Sequence, residues 1–158
     1  MYKIMLVDDE ENILKSLHRS LRKQKDLDIE AYLNATDALK RANSCIFDLV
    51  ISDCRMPGID GLEFLRQLKE VQPDAMRIVL TGAVNIETLM SAINKAGAFR
   101  FIAKPWDDEI LVETIREGLR FRDIMVENRM LAARVREQEN ELQMMAKSLD
   151  NPANNATI

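Results

Sequence analysis

The sequence is poor in the residues that build metal–thiolate centres, disulfide frameworks and histidine-based nucleophilic sites. Its 158 residues include one histidine, His18, and two cysteines, Cys45 and Cys54. The cysteines do not form a Cys-x-x-Cys pair and neither lies near a cluster of histidines, which excludes a zinc site and leaves two free thiols in a reducing compartment. Long apolar runs are also missing. The run before Asp8 and Asp9 is only Ile4-Met5-Leu6-Val7, too short for a signal peptide or a membrane span, so a cytoplasmic protein is expected. There is no excess of positive charge either. A formal net charge of -4 argues against general attraction to nucleic acid or to an anionic membrane, and a protein partner is expected instead. His18 sits in a helical pattern beside Arg19, away from the acidic positions discussed below, and reads as a solvated or half-packed residue. The nine methionines read as core and helix filler.

What is present is the alternation of a wound α/β domain. An apolar content of 47% supports one full-sized core plus an appendage. Short apolar runs at Ile4–Val7, Ile29–Leu33, Leu49–Ser52, Ile78–Leu80 and Arg100–Ala103 alternate with longer segments of helical spacing, such as Ile13, Leu14, Leu17 and Leu21, or Leu62, Leu65 and Leu68. Pro57-Gly58 and Gly61 follow the third run, Gly82 the fourth, Gly97 precedes the fifth and Pro105 follows it. Five βα units predict a doubly wound parallel sheet with helices on both faces, because crossovers between parallel strands are right-handed.

From about Asp107 no further strand pattern occurs, and helix-favouring residues run to about Leu149. Phe121, Ile124, Asn128, Leu131, Val135, Gln138, Leu142, Met145 and Leu149 recur at alternating spacings of three and four. With Asn128 at an a position, Leu131 falls at d, Val135 and Leu142 at a, and Arg134 at g faces Glu139 at the following e of a parallel partner. Two readings fit this stripe: a parallel two-stranded coiled coil, made marginal by its two polar core positions, or an amphipathic helix lying on its own or another domain. The Asn-rich end, 150–158, reads as a flexible tail or the start of a linker.

In a doubly wound sheet ligands bind beyond the carboxyl ends of the strands. Asp8 and Asp9 end the first predicted strand, Asp53 the third, Thr81 the fourth and Lys104 the fifth, so all five converge. Taken singly, each has a structural explanation, since Asp at a strand end caps helices and Thr-Gly is a common turn. Five such residues at matching strand ends point to a site. Three adjacent carboxylates repel one another unless a hard cation such as Mg2+ shares their oxygens. Asp53, already ionised at neutral pH, could attack phosphorus without a general base if the metal and Lys104 screen the incoming oxygens, giving an acyl phosphate.

Together these segments resemble the receiver domain of two-component response regulators. The resemblance covers about residues 1–122 and rests on Leu6-Val7-Asp8-Asp9-Glu10, on Asp53 to Gly61, on Leu80-Thr81-Gly82 and on Phe101-Ile102-Ala103-Lys104-Pro105. It implies a flavodoxin-like sheet of order 2-1-3-4-5. It also implies Asp53 as phosphoacceptor, Asp9 and Asp53 as carboxylate ligands of Mg2+, Asp8 as a ligand through water, and the backbone carbonyl of Arg55 as a further ligand. Thr81 matches the switch hydroxyl, Lys104 the cation that pairs with the phosphoryl group, and Phe101 an aromatic whose burial changes on activation; Phe stands where Tyr is frequent, so no hydroxyl is available there. The Lys104-Pro105 bond is expected to be cis, and Arg55 and Ala83 match positions that tune phosphoryl lifetime. The fourth helix, fifth strand and fifth helix are expected to form the reporting surface, and Trp106 to pack at the start of the last helix.

The function implied is a phosphorylated switch rather than a conventional enzyme. It takes phosphate from a sensor histidine kinase or a phosphotransfer protein, forms a homodimer through residues 121–149, and signals to a partner or to an output domain beyond this chain, with no direct nucleic-acid or membrane contact. The segment Lys104-Pro105-Trp106 resembles regulators that carry cyclic-dinucleotide phosphodiesterase domains. Two other classes are weaker. A haloacid-dehalogenase-like phosphatase expects a second Asp where Arg55 stands, and an unphosphorylated adaptor does not need Asp8, Asp9, Asp53, Thr81 and Lys104 together.

Overall fold

In the computed structural model, residues 1–82 and 86–150 are described. Five strands, β1 (Tyr2–Val7), β2 (Leu27–Tyr32), β3 (Leu49–Asp53), β4 (Met76–Thr81) and β5 (Arg100–Ala103), form one parallel sheet in the order β2-β1-β3-β4-β5. Between them lie α1 (Glu11–Leu21), α2 (Ala35–Ala42), α3 (Gly61–Val71) and α4 (Ile86–Asn94), and after β5 comes α5 (Asp108–Asp150). This is the expected fold. The chain divides into two compact units, Met1–Arg122 and Asp123–Ile158.

The inner strands are apolar on both faces because both are covered. Every residue of β3 is buried, as are Ile4 to Val7 of β1. Alternation along the strands sorts these residues into two layers. Met5, Val7, Val50 and Val79 join one core with Ala35, Ala38 and Ala42 of α2, Phe64, Leu65 and Leu68 of α3, and Ala92 of α4. On the other face α5 packs so closely that a Cβ on Gly118 would stand 3.1 Å from Leu49 Cδ1. The helix starts are set locally. Asn34 Oδ1 accepts from Asp37 N at 2.8 Å, and Asp60 Oδ1 accepts from Leu62 N and Glu63 N at 2.8 and 3.0 Å.

Several strand limits differ from the apolar runs. β2 starts at Leu27 and stops at Tyr32, not Leu33, because its extent follows pairing with β1 from Tyr2↔Leu27 to Val7↔Tyr32; Leu33 is left exposed. β4 likewise runs two residues earlier than its apolar pattern and one later, paired along β3 and β5. Backbone pairing with a neighbour decides these ends, so local hydrophobicity marks only their middles. Of the tail expected over 150–158, Asp150 is the last residue of α5, and 151–158 lie outside the described residues.

Edge strand β2 is tied to α2 by charge. Arg41 Nε and Nη2 donate to Glu30 Oε2 and Oε1 at 2.9 and 2.8 Å, and Tyr32 Oη donates to Oε2 at 2.8 Å. The Arg41 guanidinium holds the Glu30 carboxyl at about 2, below its ordinary 4.5, despite the opposing effect of burial; the Tyr32 hydroxyl and Lys3 add to the lowering. A depressed acid stabilises the fold above its unfolded value, and this contribution fades as pH falls from about 4.5 towards about 2. Because the pair is partly solvated, we expect Glu30→Gln to cost about 1 kcal/mol at pH 7, with the difference from wild type narrowing below pH 4.5 in urea titrations.

Candidate functional site

The register brings the predicted residues to one edge of the sheet. Val7 pairs with Ser52, Asp53 with Leu80 and Thr81 with Ala103, so Asp8, Asp53, Thr81 and Lys104 occupy nearly the same level at the carboxyl ends of β1, β3, β4 and β5. Backbone hydrogen bonds continue the alignment past the strands: Asp8 N donates to Tyr32 O at 3.1 Å, Cys54 N to Leu80 O at 3.0 Å, and Lys104 N to Thr81 O at 2.8 Å. The Lys104-Pro105 bond is cis, as expected.

Each of Asp8, Asp9 and Asp53 offers a carboxylate oxygen within 4.8 Å of the others. Asp8 is fully buried, Asp53 nearly so, and Asp9 is exposed. Lys104 Nζ donates to Asp8 Oδ2 at 3.0 Å and to Asp53 Oδ1 at 3.2 Å, while Asp8 Oδ1 accepts from Glu10 N at 2.8 Å. One ammonium therefore bridges two of the three carboxylates, Asp8 and Asp53. Burial, followed by the Asp8 charge, pushes the Asp53 carboxyl up, and Lys104 only partly opposes this. Burial works to lower the Lys104 ammonium, but Asp8 and Asp53 outweigh it and raise it, so its charge is secured. The donor set is all oxygen, carries excess negative charge and opens to solvent at Asp9, which suits a hard divalent cation.

A cleft of about 290 Å³ opens beside the carboxylates, lined by Glu10, Asp53, Cys54, Arg55, Thr81, Gly82 and Lys104. Thr81 and Arg55 thus line the cleft beside Asp53 and Lys104. Phe101 is not in this wall; it lies on edge strand β5, 46% exposed. Ala83 lies outside the described residues. His18 is exposed on α1. Burial first, then the charges of Asp60 and Asp53, raises the Cys54 thiol, so it stays protonated despite its place in the wall.

Two contributors escaped the sequence reading. Glu10 was read only as part of a motif, although a third consecutive acid after β1 was a signal that it could face the cleft. Gly61 entered the sequence reading as a breaker and as the end of the Asp53 to Gly61 segment, with no role at the site. It lies against the end of β3, where a Cβ would be driven into the carbonyl of Asp53, and its N–H donates to Cys54 O at 3.2 Å. The glycine therefore permits the start of α3 to support the backbone that carries Asp53.

Residues 4–116 match the response regulator receiver domain family. The hydrogenase transcriptional regulatory protein HoxA of Bradyrhizobium diazoefficiens is 36% identical over 73% of this chain and 24% of its own length. The transcriptional regulatory protein FlgR of Helicobacter pylori is 40% identical over 72% of this chain and 28% of its own length. The chain thus spans about a quarter of the length of these curated relatives. Among solved structures, the signal receiver domain of an HD domain-containing protein from Pseudomonas fluorescens is similar with a TM-score of 0.74 and 34% identity, covering 77% of this chain and 97% of that one. The sheet order, the aligned strand ends and these matches lead to one conclusion: the chain belongs to the response regulator receiver domain family, the phosphoacceptor switches of two-component systems.

Proposed function

We propose that Asp53 accepts a phosphoryl group from a sensor histidine kinase or a phosphotransfer protein, and that the change passes through the surface of α4, β5 and α5 to an output domain or partner. The observation that carries this reading is the meeting of Asp8, Asp9, Asp53 and Lys104 at one edge of the sheet. An oxygen of Asp53 forms the bond to phosphorus as the bond from phosphorus to the donor imidazole nitrogen breaks. The products are an acyl phosphate and a free imidazole that regains its proton from water. A carboxylate needs no base to prepare it for this attack.

Asp9, Asp53 and the Arg55 carbonyl would hold Mg2+ directly and Asp8 through water. The two oxygens of Asp8 already accept from Glu10 N and Lys104, which favours the indirect role. Mg2+, when bound, supplies the positive charge that offsets the carboxylates and the phosphoryl oxygens. Lys104, shared between Asp8 and Asp53 at rest, turns its ammonium towards the incoming oxygens, and the Thr81 hydroxyl closes on the same group. Charge-assisted hydrogen bonds contribute roughly 1.5–3 kcal/mol, sufficient to shift a two-state surface by one or more orders of magnitude. Phe101 starts exposed and would report the shift by becoming buried. The chain's own chemistry is limited to this self-phosphotransfer and slow hydrolysis of the product.

In this reading residues 1–122 are the receiver, 123–149 a coiled coil that makes a parallel homodimer, and 150–158 a tail or linker. Exposure of Leu131, Val135, Leu142, Met145 and Leu149 along the helix supports the dimer, since pairing would remove that apolar stripe from water. The reading places the protein in the cytoplasm; among the described residues no helix is long and apolar enough to cross a membrane. The similar proteins are named for different outputs, transcriptional regulation in some and an HD domain in another, so the output is assigned only as a domain or partner outside the receiver.

Intact mass after exposure to a small acyl-phosphate donor tests the proposal, with light scattering alongside. One Mg2+-dependent phosphoryl addition that disappears in Asp53→Ala, on a dimer, is expected. No addition from the donor or from a range of kinases, together with no Mg2+ binding, would leave the adaptor reading in its place.

A further inference from the structure

Lys104 lies in the walls of two clefts. One is the acidic cleft; the other, of about 480 Å³, lies between α1 and the β5–α5 connection and is lined by Ile13, Ser20, Pro105 and Trp106 among others. The connection is fixed at its ends by Lys104 N on Thr81 O at 2.8 Å and by Asp107 Oδ1, which accepts from Glu109 N and Ile110 N at 2.9 and 3.3 Å. Its middle is held by a side-chain relay. Trp106 Nε1 donates to Ser20 Oγ at 3.1 Å, and Ser20 Oγ lies 2.5 Å from Asp108 Oδ1.

The direction of this relay follows from the donors. An indole N–H can only donate, so Ser20 accepts from Trp106 and keeps its own proton for another group. That proton has two candidate acceptors, the Ser16 carbonyl oxygen at 3.0 Å and the Asp108 carboxylate at 2.5 Å. The shorter, charged acceptor takes it, and accepting from Trp106 strengthens the hydroxyl as a donor. One serine on α1 therefore clamps both the residue two after Lys104 and the first residue of α5.

We propose that Ser20 and Trp106 are positioning residues for Lys104: their relay seats the β5–α5 connection on α1 and so aims the ammonium between Asp8 and Asp53. The inference rests on the reading of Lys104 as the cation that meets the phosphoryl group. Neither Ser20 nor Trp106 lines the acidic cleft, so their effect reaches it through the backbone that carries Lys104.

The test uses the full chain with a small acyl-phosphate donor and Mg2+, and follows phosphoryl addition by intact mass. Ser20→Ala and Trp106→Phe are each expected to slow addition about three- to tenfold, as loss of one hydrogen bond at a positioned group would. Ser20→Thr, which keeps the hydroxyl, is expected to stay within about twofold of wild type. In a Lys104→Ala background Ser20→Ala should change nothing, and Mg2+ affinity by titration calorimetry should not follow the rate. In metal-free protein the single indole N–H resonance should move in Ser20→Ala. Wild-type rates in Ser20→Ala and Trp106→Phe, an equal loss in the Lys104→Ala background, or a parallel loss of Mg2+ affinity would overturn the inference. If Lys104→Ala itself reacts like wild type, the reading of Lys104 fails first and the positioning role falls with it.

Discussion

Asp53→Asn is expected to stabilise the metal-free protein by about 1 kcal/mol while removing its capacity to accept phosphate. Burial and the neighbouring Asp8 charge push the Asp53 carboxyl up, so its ionised form is worse placed in the folded chain than in the unfolded one. A raised acid of this kind reduces stability at neutral pH, and the penalty shrinks as pH falls and the folded chain takes up a proton. Asparagine removes the charge yet leaves Lys104 its contact with Asp8, so no buried cation is stranded. The midpoint of thermal unfolding should rise by roughly 3 °C at pH 7 in chelator, and the gain should narrow on acidification. Adding Mg2+ should reverse the order, because a ligand present at 100 times its dissociation constant adds about 2.7 kcal/mol to a protein that binds it only when folded. An Asn variant that is less stable than wild type in chelator would show that the carboxylate cluster is not under repulsion.

Gly61→Ala should be far more damaging than a glycine-to-alanine change in an ordinary helix. The added methyl would overlap the Asp53 carbonyl, and it would meet main chain at the end of a fully buried strand, where no rotamer change relieves it. We expect a loss of about 3 kcal/mol or more in urea unfolding. Molecules that remain folded should accept phosphate at least about tenfold more slowly, since small displacements of a nucleophile are costly in rate. Gly58→Ala provides the contrast. Its φ of +81° disfavours a side chain, but nothing lies within 4 Å of the new methyl, so the cost should be the conformational one of about 1 kcal/mol with little effect on phosphorylation beyond it. Equal losses in the two variants would remove the special role of the Gly61 contact.

Much of the fold was legible because its signals are local. Apolar runs such as Leu49–Ser52 and helical spacings such as Leu62, Leu65 and Leu68 encode burial within a few residues of chain, and their alternation dictated parallel βα units. The same logic gathered Asp8, Asp9, Asp53, Thr81 and Lys104, since they lie at the ends of four strands and the rule that ligands gather there needs no knowledge of contacts. The exact extent of β2 was not legible. Asp28 and Glu30 interrupt its apolar pattern, and only hydrogen bonding to β1 extends it from Leu27 to Tyr32.

Contacts between distant parts of the chain were decided by tertiary structure. Lys104 and Asp8 are 96 residues apart, and Trp106 and Ser20 are 86 apart. Whether such pairs touch depends on sheet register and on how α1 and α5 seat against it, quantities that no short window of sequence contains. Gly61 shows the same division: its identity announced a turn, but that the turn lies against the Asp53 carbonyl follows from packing alone. By itself the sequence determined which elements form and which carboxylates end them, because periodicity and strand-end position are properties of neighbouring residues. Only the folded chain decided how the charges of Asp8, Asp53 and Lys104 are shared, because that depends on a few ångströms of separation inside a low-dielectric edge of the sheet.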